Sequence, residues 1–467
     1  MKRFFHLAVC AATLALSALL PGAPALAQEN QVLVRPTVEV GPIRPLNGGN
    51  NAPTVHNLPW FKAAHISYVR THDAMLDPSS YGRYVYDIRS IFRDFSADVD
   101  DPASYDFFNS DKVLKRARDA GEKILYRLGQ TIEPAQNKYY IYPPEDYLKW
   151  AKICEHIIRH YNEGWANGYH WNIEYWEIWN EPDLDRNGRW KTDPRCWGGP
   201  DEEFDKFYAV VSKHLKKKFP KLKIGGPGFS NPKNGEWLHR FLKATADAKA
   251  PMDFFSWHIY TYTPEIVKER SDTVDTVLAK YGFKDTESIL DEWNYVWHWA
   301  ETTEENAKTR HTIKGAAFLA ATMTACQNET PIQVMTCYDF RPNSRFNQIF
   351  DATDRRPLIG YYPFYAWGQL LECGTQVKTE EDTPGLYAVA AKSDTGRLRI
   401  LVSRYTQDNN EVYGKKITIK VEGVTPEDVR VYLADSRFFY SDYPVPVEKD
   451  GTITLMMEPC SFAMIEL

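Results

Sequence analysis

Between residues 43 and 368, short apolar runs alternate with longer stretches in which apolar residues recur every three or four positions. The runs cover 43–48, 66–72, 123–129, 173–180, 222–226, 253–260, 288–294 and 333–340. Between them, Tyr147, Trp150, Ala151, Cys154, Ile157, Ile158 and Tyr161 mark one helix face, and Phe204, Phe207, Tyr208, Val211 and Leu215 mark another. Both sets keep the 3.6-residue spacing of an amphipathic helix. Strands alternating with helices over roughly 250 residues or more predict an α/β fold, a (β/α)8 TIM barrel. A doubly wound open sheet is the alternative, but no Gly-rich phosphate loop follows the first strand.

After Trp367 the period shortens to two. The segments 386–390, 397–401, 416–421, 429–433 and 452–455 alternate apolar and polar residues between Gly, Asp, Asn and Pro turns, which reads as an accessory β-sandwich domain. The early run 32–40 is expected to join it. Ahead of that run, Lys2 and Arg3 precede an apolar stretch from Leu7 to Leu20, and Ala25-Leu-Ala27 fits the small-residue cleavage rule of a secretory leader. The expected organisation is a signal peptide over 1–27, a sandwich strand over 28–42, a catalytic barrel over 43–368 and the β-sandwich over 369–467. The mature chain is expected to be secreted or periplasmic. Cys10 lies too early for a lipid-anchoring site, and no later stretch is apolar enough to span a bilayer.

Composition narrows the function classes. With 43% hydrophobic and 25% charged residues the chain is ordinary globular protein, and a net charge of −6 gives no field that would hold nucleic acid or an anionic membrane. The basic stretch His214-Leu-Lys-Lys-Lys218 ends a predicted helix, where cations complement the dipole. Beyond the leader, Cys154, Cys196, Cys326, Cys337, Cys373 and Cys460 form neither a CxxC pair nor a zinc spacing, so buried thiols are expected, with a disulfide or two permissible in an oxidising compartment. Neither cofactor nor metal is implied.

In a barrel, chemistry collects at the C-terminal ends of the strands. Glu181 follows Asn180 at the end of the fourth predicted strand, and Glu292 closes the seventh. An apolar aromatic strand would not end on an unpaired buried acid unless it delivered that acid into a working cleft. Two such carboxylates suit glycosidic bond cleavage, with Glu181 as acid/base and Glu292 as nucleophile about 5–5.5 Å away. Arg70 and His72 share a face at the end of the second strand, and His258 and Tyr260 do so on the sixth. With Asn180, Trp293 and Asn47 they are the candidate substrate contacts, Asn180 for the hydroxyl beside the anomeric carbon. Tyr260 or Arg70 would keep Glu292 ionised. Plainer roles fit other residues: Glu177 is expected inside the barrel paired with a base such as Arg127, and His65 and His311 are ordinary histidines. His72 and His258 lack the third ligand a metal would need. The loop 185–201, with Arg186, Arg189, Trp190, Arg195 and Trp197, fits either a subsite wall that accepts a uronate or a solvated loop. The run Tyr295-Val-Trp-His-Trp299 could stack on sugars.

Trp179-Asn-Glu-Pro-Asp183 and Leu290-Asp-Glu-Trp-Asn294 resemble the clan A glycoside hydrolases, whose acid/base follows an Asn on strand four and whose nucleophile ends strand seven. With Asn47-Gly-Gly-Asn-Asn-Ala-Pro53, Val69-Arg-Thr-His-Asp73 and Phe255-Ser-Trp-His-Ile-Tyr260, the chain is most similar to glycoside hydrolase family 39, which includes β-xylosidases and α-L-iduronidases. The resemblance implies a retaining, cofactor-free glycosidase acting on an oligosaccharide or polysaccharide, with a β-sandwich beside the barrel. The glycoside is left open among a β-xyloside, an α-L-arabinoside, an α-L-iduronide and an internal linkage. A transglycosylase, or a non-catalytic carbohydrate-binding protein on the same scaffold, is the alternative. Oligomerisation is possible.

Overall fold

The computed structural model describes residues 30–74, 84–130, 141–233, 235–299, 303–424 and 428–467. A long strand, β1 (Gln31–Pro42), leads into eight parallel strands. These are β2 (Gly48–Asn50), β3 (Tyr68–Arg70), β4 (Lys123–Leu128), β5 (Tyr175–Ile178), β6 (Lys223–Phe229), β7 (Phe254–Thr261), β8 (Glu287–Tyr295) and β9 (Val334–Cys337). They close in sequence order, with Gly48 opposite Thr336 and Gly49 opposite Cys337 at the seam. The first barrel strand therefore begins at Gly48, later than the expected 43–48. Its glycines are there for packing: a Cβ on Gly48 would lie 2.6 Å from the Met335 carbonyl oxygen, and one on Gly49 would enter the Phe340 ring.

The helices form where the apolar spacing placed them. In the helix Tyr147–Glu163 the marked residues Trp150, Ala151, Cys154, Ile157, Ile158 and Tyr161 are all buried. Asp146 caps its start by accepting from the Lys149 backbone, and Gly164 ends it in the left-handed region. The helix Asp201–Lys218 starts on three acids and ends on three lysines, matching its dipole. That basic end is committed within the fold: Lys216 pairs with Asp253 at 2.7 Å, and both His214 and Lys218 reach Glu155.

The remaining strands are β10 (Thr375–Glu381), β11 (Leu386–Lys392), β12 (Leu398–Arg404), β13 (Lys415–Val421), β14 (Arg430–Ala434), β15 (Phe439–Asp442), β16 (Ile453–Met457) and β17 (Ser461–Glu466). They form one curled sheet in the order β15-β14-β17-β12-β11-β10-β1-β13-β16, a β-sandwich-like unit beside the TIM barrel. β1 pairs antiparallel with β10 and parallel with β13, so the start of the described chain is woven into the C-terminal sheet. β10, β15 and β17 had no counterpart among the expected segments. β11 shows the period of two at work: Leu386, Ala388 and Ala390 face the core within the curled sheet, while Tyr387, Val389 and Ala391 join the core shared with the barrel.

The helix Ile313–Glu329 lies between the two units and is buried without interruption from Gly315 to Gln327. Its C-terminal carbonyls are satisfied by Arg44, whose guanidinium donates to the backbone oxygens of Cys326, Gln327, Thr330 and Ile332. The expected boundary at 368 falls inside another helix, Tyr362–Cys373, which Arg399 of β12 grips at the Gln369 carbonyl and the Glu372 carboxylate. All six described cysteines are free thiols. Among the described residues no helix is long and apolar enough to cross a membrane. The expected leader over 1–27 lies outside the described residues.

Candidate active site

The end of β5 is shaped by strain. Trp179 (φ 78°) and Glu181 (φ 49°) both adopt left-handed backbone conformations that L side chains rarely take. Such geometry persists only where the surroundings over-determine it. Here the Trp179 amide bonds Leu128 O at 2.8 Å and the Glu181 amide bonds Gly228 O at 2.9 Å. The Trp179 ring is wedged among Trp150, Trp197 and Phe207, and its indole N–H donates to Cys196 O. Asp185 fixes the following loop by accepting from the backbone N–H groups of Arg195, Cys196 and Trp197. Trp197 is thereby a core residue and not a sugar platform.

β8 solves a different problem. Trp257 pairs with Leu290 and His258 with Glu292, which leaves Asp291 as an extra residue in the ladder. This bulge lets two successive acids, Asp291 and Glu292, both aim into the barrel. It also turns Trp293 outward against Phe318, so Trp293 is not a substrate contact. Asn47 is likewise outside the site: it precedes β2, is fully buried, and donates to the backbone oxygens of Ala64, His65 and Phe364.

The centre is organised by Arg70. Its Nη1 donates to Glu292 Oε1 at 2.7 Å and to Asn50 Oδ1 at 3.2 Å, and its Nη2 donates to Asn180 Oδ1 at 2.7 Å. Its Nε lies 2.8 Å from both Glu177 Oε2 and Asp291 Oδ2. Glu177 thus pairs with Arg70; the expected partner Arg127 instead bonds Asp87. One guanidinium cannot balance Glu177, Asp291 and Glu292 all ionised, so a proton must be held among them. Burial, reinforced by the neighbouring acids, pushes the Asp291 carboxyl well above the usual range. For Glu177, burial is outweighed by Arg70 and by hydrogen bonds from Asp291, Arg70 and Ser256, which hold it below its ordinary value. The shared proton is therefore best placed on Asp291, facing Glu177.

Glu292 takes a hydrogen bond from the Tyr260 hydroxyl on Oε2 at 2.7 Å, and His72 Nε2 lies 3.2 Å from Oε1. Burial raises the Glu292 carboxyl above its ordinary value, and the charge of Glu181 adds to that, while Arg70, His258 and Tyr260 work in the opposite direction. His258 Nδ1 is 2.8 Å from Glu181 Oε1 and 3.5 Å from Glu292 Oε2. Burial brings His258 down to about 4, and burial together with Arg70 lowers His72 well below its ordinary value, so both rings are neutral near pH 7. Glu181, His258 and Glu292 each present an atom within 4.8 Å of the other two. The two glutamates therefore face each other across a short gap at the strand ends. The same trio has the compactness of a metal site, but Arg70 already supplies positive charge to Glu292, and three of the four carboxylate oxygens are engaged by Arg70, Tyr260 and His258.

These groups open into a cavity of about 740 Å³ at the C-terminal end of the barrel. His72, Asn180, Glu181, Tyr260 and Glu292 line it. Arg70 and His258 are fully buried beneath and do not line it; they act on the glutamates rather than on a ligand. Trp299 forms a wall with Tyr260 and Phe346 and is 65% exposed, the geometry of a stacking platform. The expectations did not include Asn50, Asp291, or the group in which Arg341 bonds Asp73 and Asp339 while Tyr338 bonds Asp73. The doubled acid Asp291-Glu292 was the one visible signal; the others depend on which loops meet.

The model of the family described as "Glycosyl hydrolases family 39" matches residues 56–359. A β-xylosidase of Geobacillus stearothermophilus is 32% identical over 121 residues, 26% of this chain and 22% of the relative's own length. A glucosidase structure from Croceicoccus marinus superposes with a TM-score of 0.74 at 23% identity, covering 94% of this chain and 98% of that one. A monomeric β-xylosidase structure from Caulobacter crescentus does so with a TM-score of 0.69 at 13% identity, covering 94% and 99%. At these identities the two structures bear on the fold.

Proposed function

Because the chain belongs to glycosyl hydrolase family 39, we propose that it is a retaining glycosidase in which Glu292 attacks the anomeric carbon while Glu181 protonates the leaving oxygen. The approach of Glu181 and Glu292 to within 4.8 Å carries the reading. In the first step the Glu292 carboxylate forms a bond to the anomeric carbon, the glycosidic C–O bond breaks, and the Glu181 proton goes to the departing oxygen. In the second, Glu181 takes a proton from water, whose oxygen bonds the anomeric carbon and releases Glu292. Asn180, held through its Oδ1 by Arg70, keeps its amide N–H groups to donate to the hydroxyl beside the reacting carbon. Tyr260 and Arg70 hold Glu292 in the ionised form that attacks and must let go as its charge disappears.

The β-xylosidase relative supports a β-xyloside as the first substrate to test. The leader pattern at Lys2, Arg3 and Ala25-Leu-Ala27 supports export. The test is intact mass after incubation with a panel of 2-deoxy-2-fluoro glycosides that includes the β-xyloside. A single fluoroglycosyl adduct, mapped to Glu292 and absent in Glu292→Gln, is expected. An adduct on another residue, or hydrolysis that survives Glu292→Gln, would overturn the assignment.

A further inference from the structure

Acids outnumber bases over the whole chain, 62 to 56, yet the described wall of the active-site cavity inverts that balance. It carries five arginines, Arg186, Arg195, Arg341, Arg345 and Arg355, against three acids, two of which are Glu181 and Glu292. Their placement is layered. At the floor, Arg341 is held by Asp73 at 2.6 Å and Asp339 at 2.7 Å, and Arg70 below it is fully engaged, so no cation there is open to a ligand. Apart from the two glutamates and the Asp73–Arg341 ion pair, the groups that face the reacting sugar are therefore neutral: His72, Asn180, Tyr260 and Tyr338.

The rim differs. Arg345, on the loop after β9, lies over the Phe346 ring at 5.1 Å, and Arg355 bonds the Asn343 side chain and the Ala352 carbonyl. Among the described residues neither has a carboxylate partner. Arg186, on the loop after β5, bonds Asp183 through Nη1 only and is 49% exposed. Guanidinium forks with uncommitted donors, stacked or braced at the mouth of a cleft, suit the planar or tetrahedral oxygens of an anion.

We propose that this enzyme takes a glycan with a neutral sugar at the scissile bond and an anionic substituent, a uronate carboxylate or a sulfate ester, on a neighbouring unit that reaches Arg345 and Arg355. The proposal rests on the hydrolase reading and narrows its substrate class. An uncharged reacting sugar follows from the floor, and the anionic neighbour follows from the rim.

The test is calorimetric binding to the Glu292→Gln protein, which cannot turn over. The probes are a neutral xylo-oligosaccharide, one of equal length bearing a glucuronate, and one bearing a sulfate. At least one anionic probe is expected to bind about tenfold or more tightly than the neutral one at low salt, with the advantage shrinking as salt rises. The probe that gains more identifies the anion. Adding Arg345→Gln and Arg355→Gln together should bring the anionic-to-neutral ratio of Kd values close to one. Equal binding of all three probes, or a ratio that the double change leaves intact, overturns the proposal. Fluoroglycoside labelling of the wild type separates the two readings. Label on Glu292 without an anionic preference sinks only the substrate class, whereas an anionic preference together with label on another residue sinks the assignment of Glu292.

Discussion

Tyr260 and Asp291 each meet the environment of Glu292 through one proton, and the two make opposite forecasts. The Tyr260 hydroxyl bonds the ionised form of Glu292, so removing it raises the Glu292 pKa further above its ordinary value. Because the proposed mechanism requires Glu292 to be deprotonated to attack, the acid limb of the kcat/KM profile in Tyr260→Phe should move to higher pH by about one unit, the worth of a charge-assisted hydrogen bond. An unmoved limb would mean that Tyr260 does not control Glu292. With the proton on Asp291, an asparagine there can still donate to Glu177 and keep its oxygen beside Arg70 Nε. In Asp291→Asn the acid limb should therefore stay in place. Were Asp291 ionised, the change would remove a negative charge beside Arg70, lower the Glu292 pKa and carry the limb to lower pH. The pH profile of this one variant distinguishes the two protonation states.

At the scale of elements, what the sequence made legible follows from how local each signal is. Helices such as Tyr147–Glu163 were visible because spacing, cap and stop lie within one segment. Glu181 and Glu292 stand out in the sequence because a strand-end acid contradicts its apolar context, and the structure brings the two together at the cavity. Asn47 and Trp293 were misread for reasons that are not local. The first strand starts at Gly48 because packing against Met335, Thr336 and Phe340 demands glycines there, and that pressure comes from residues almost three hundred positions away. Trp293 faces outward because the Asp291 bulge resets the alternation of β8, and a simple count of two per face cannot register an inserted residue. Glu177 was placed in the barrel interior as expected, but its partner was decided by the side-chain reach of Arg70 and not by strand order. The turn at Trp179 and Glu181 has no sequence signature beyond Pro182, since its strain is held by contacts from β4, β6 and the loop at Cys196.

For the whole molecule, the barrel and the curled sheet share a core, which bears on how the protein unfolds. Tyr387, Val389, Leu401, Phe462 and Met464 of the sheet pack in one continuous cluster with barrel and helix residues, and β1 ties the start of the described chain into the same sheet. The helix Ile313–Glu329 has no solvent face to fall back on, and its C-terminal carbonyls depend on Arg44. Replacing Arg44 by methionine would keep much of the side-chain volume but take this donor from the backbone oxygens of Gln327, Thr330 and Ile332, while Cys326 O keeps the Thr330 amide and hydroxyl. Each such loss costs on the order of 1–3 kcal/mol, so a drop of roughly 3 kcal/mol is expected, with partial rescue by local rearrangement included. Because the helix belongs to both units, the loss should appear as a lower denaturant midpoint in a single transition seen alike by tryptophan fluorescence and far-ultraviolet circular dichroism. Two separated transitions in the variant would show that the sheet can open while the barrel stays folded. The shared core would then be an interface between independent units, and Arg44 would act as its clasp rather than as a part of one cooperative structure.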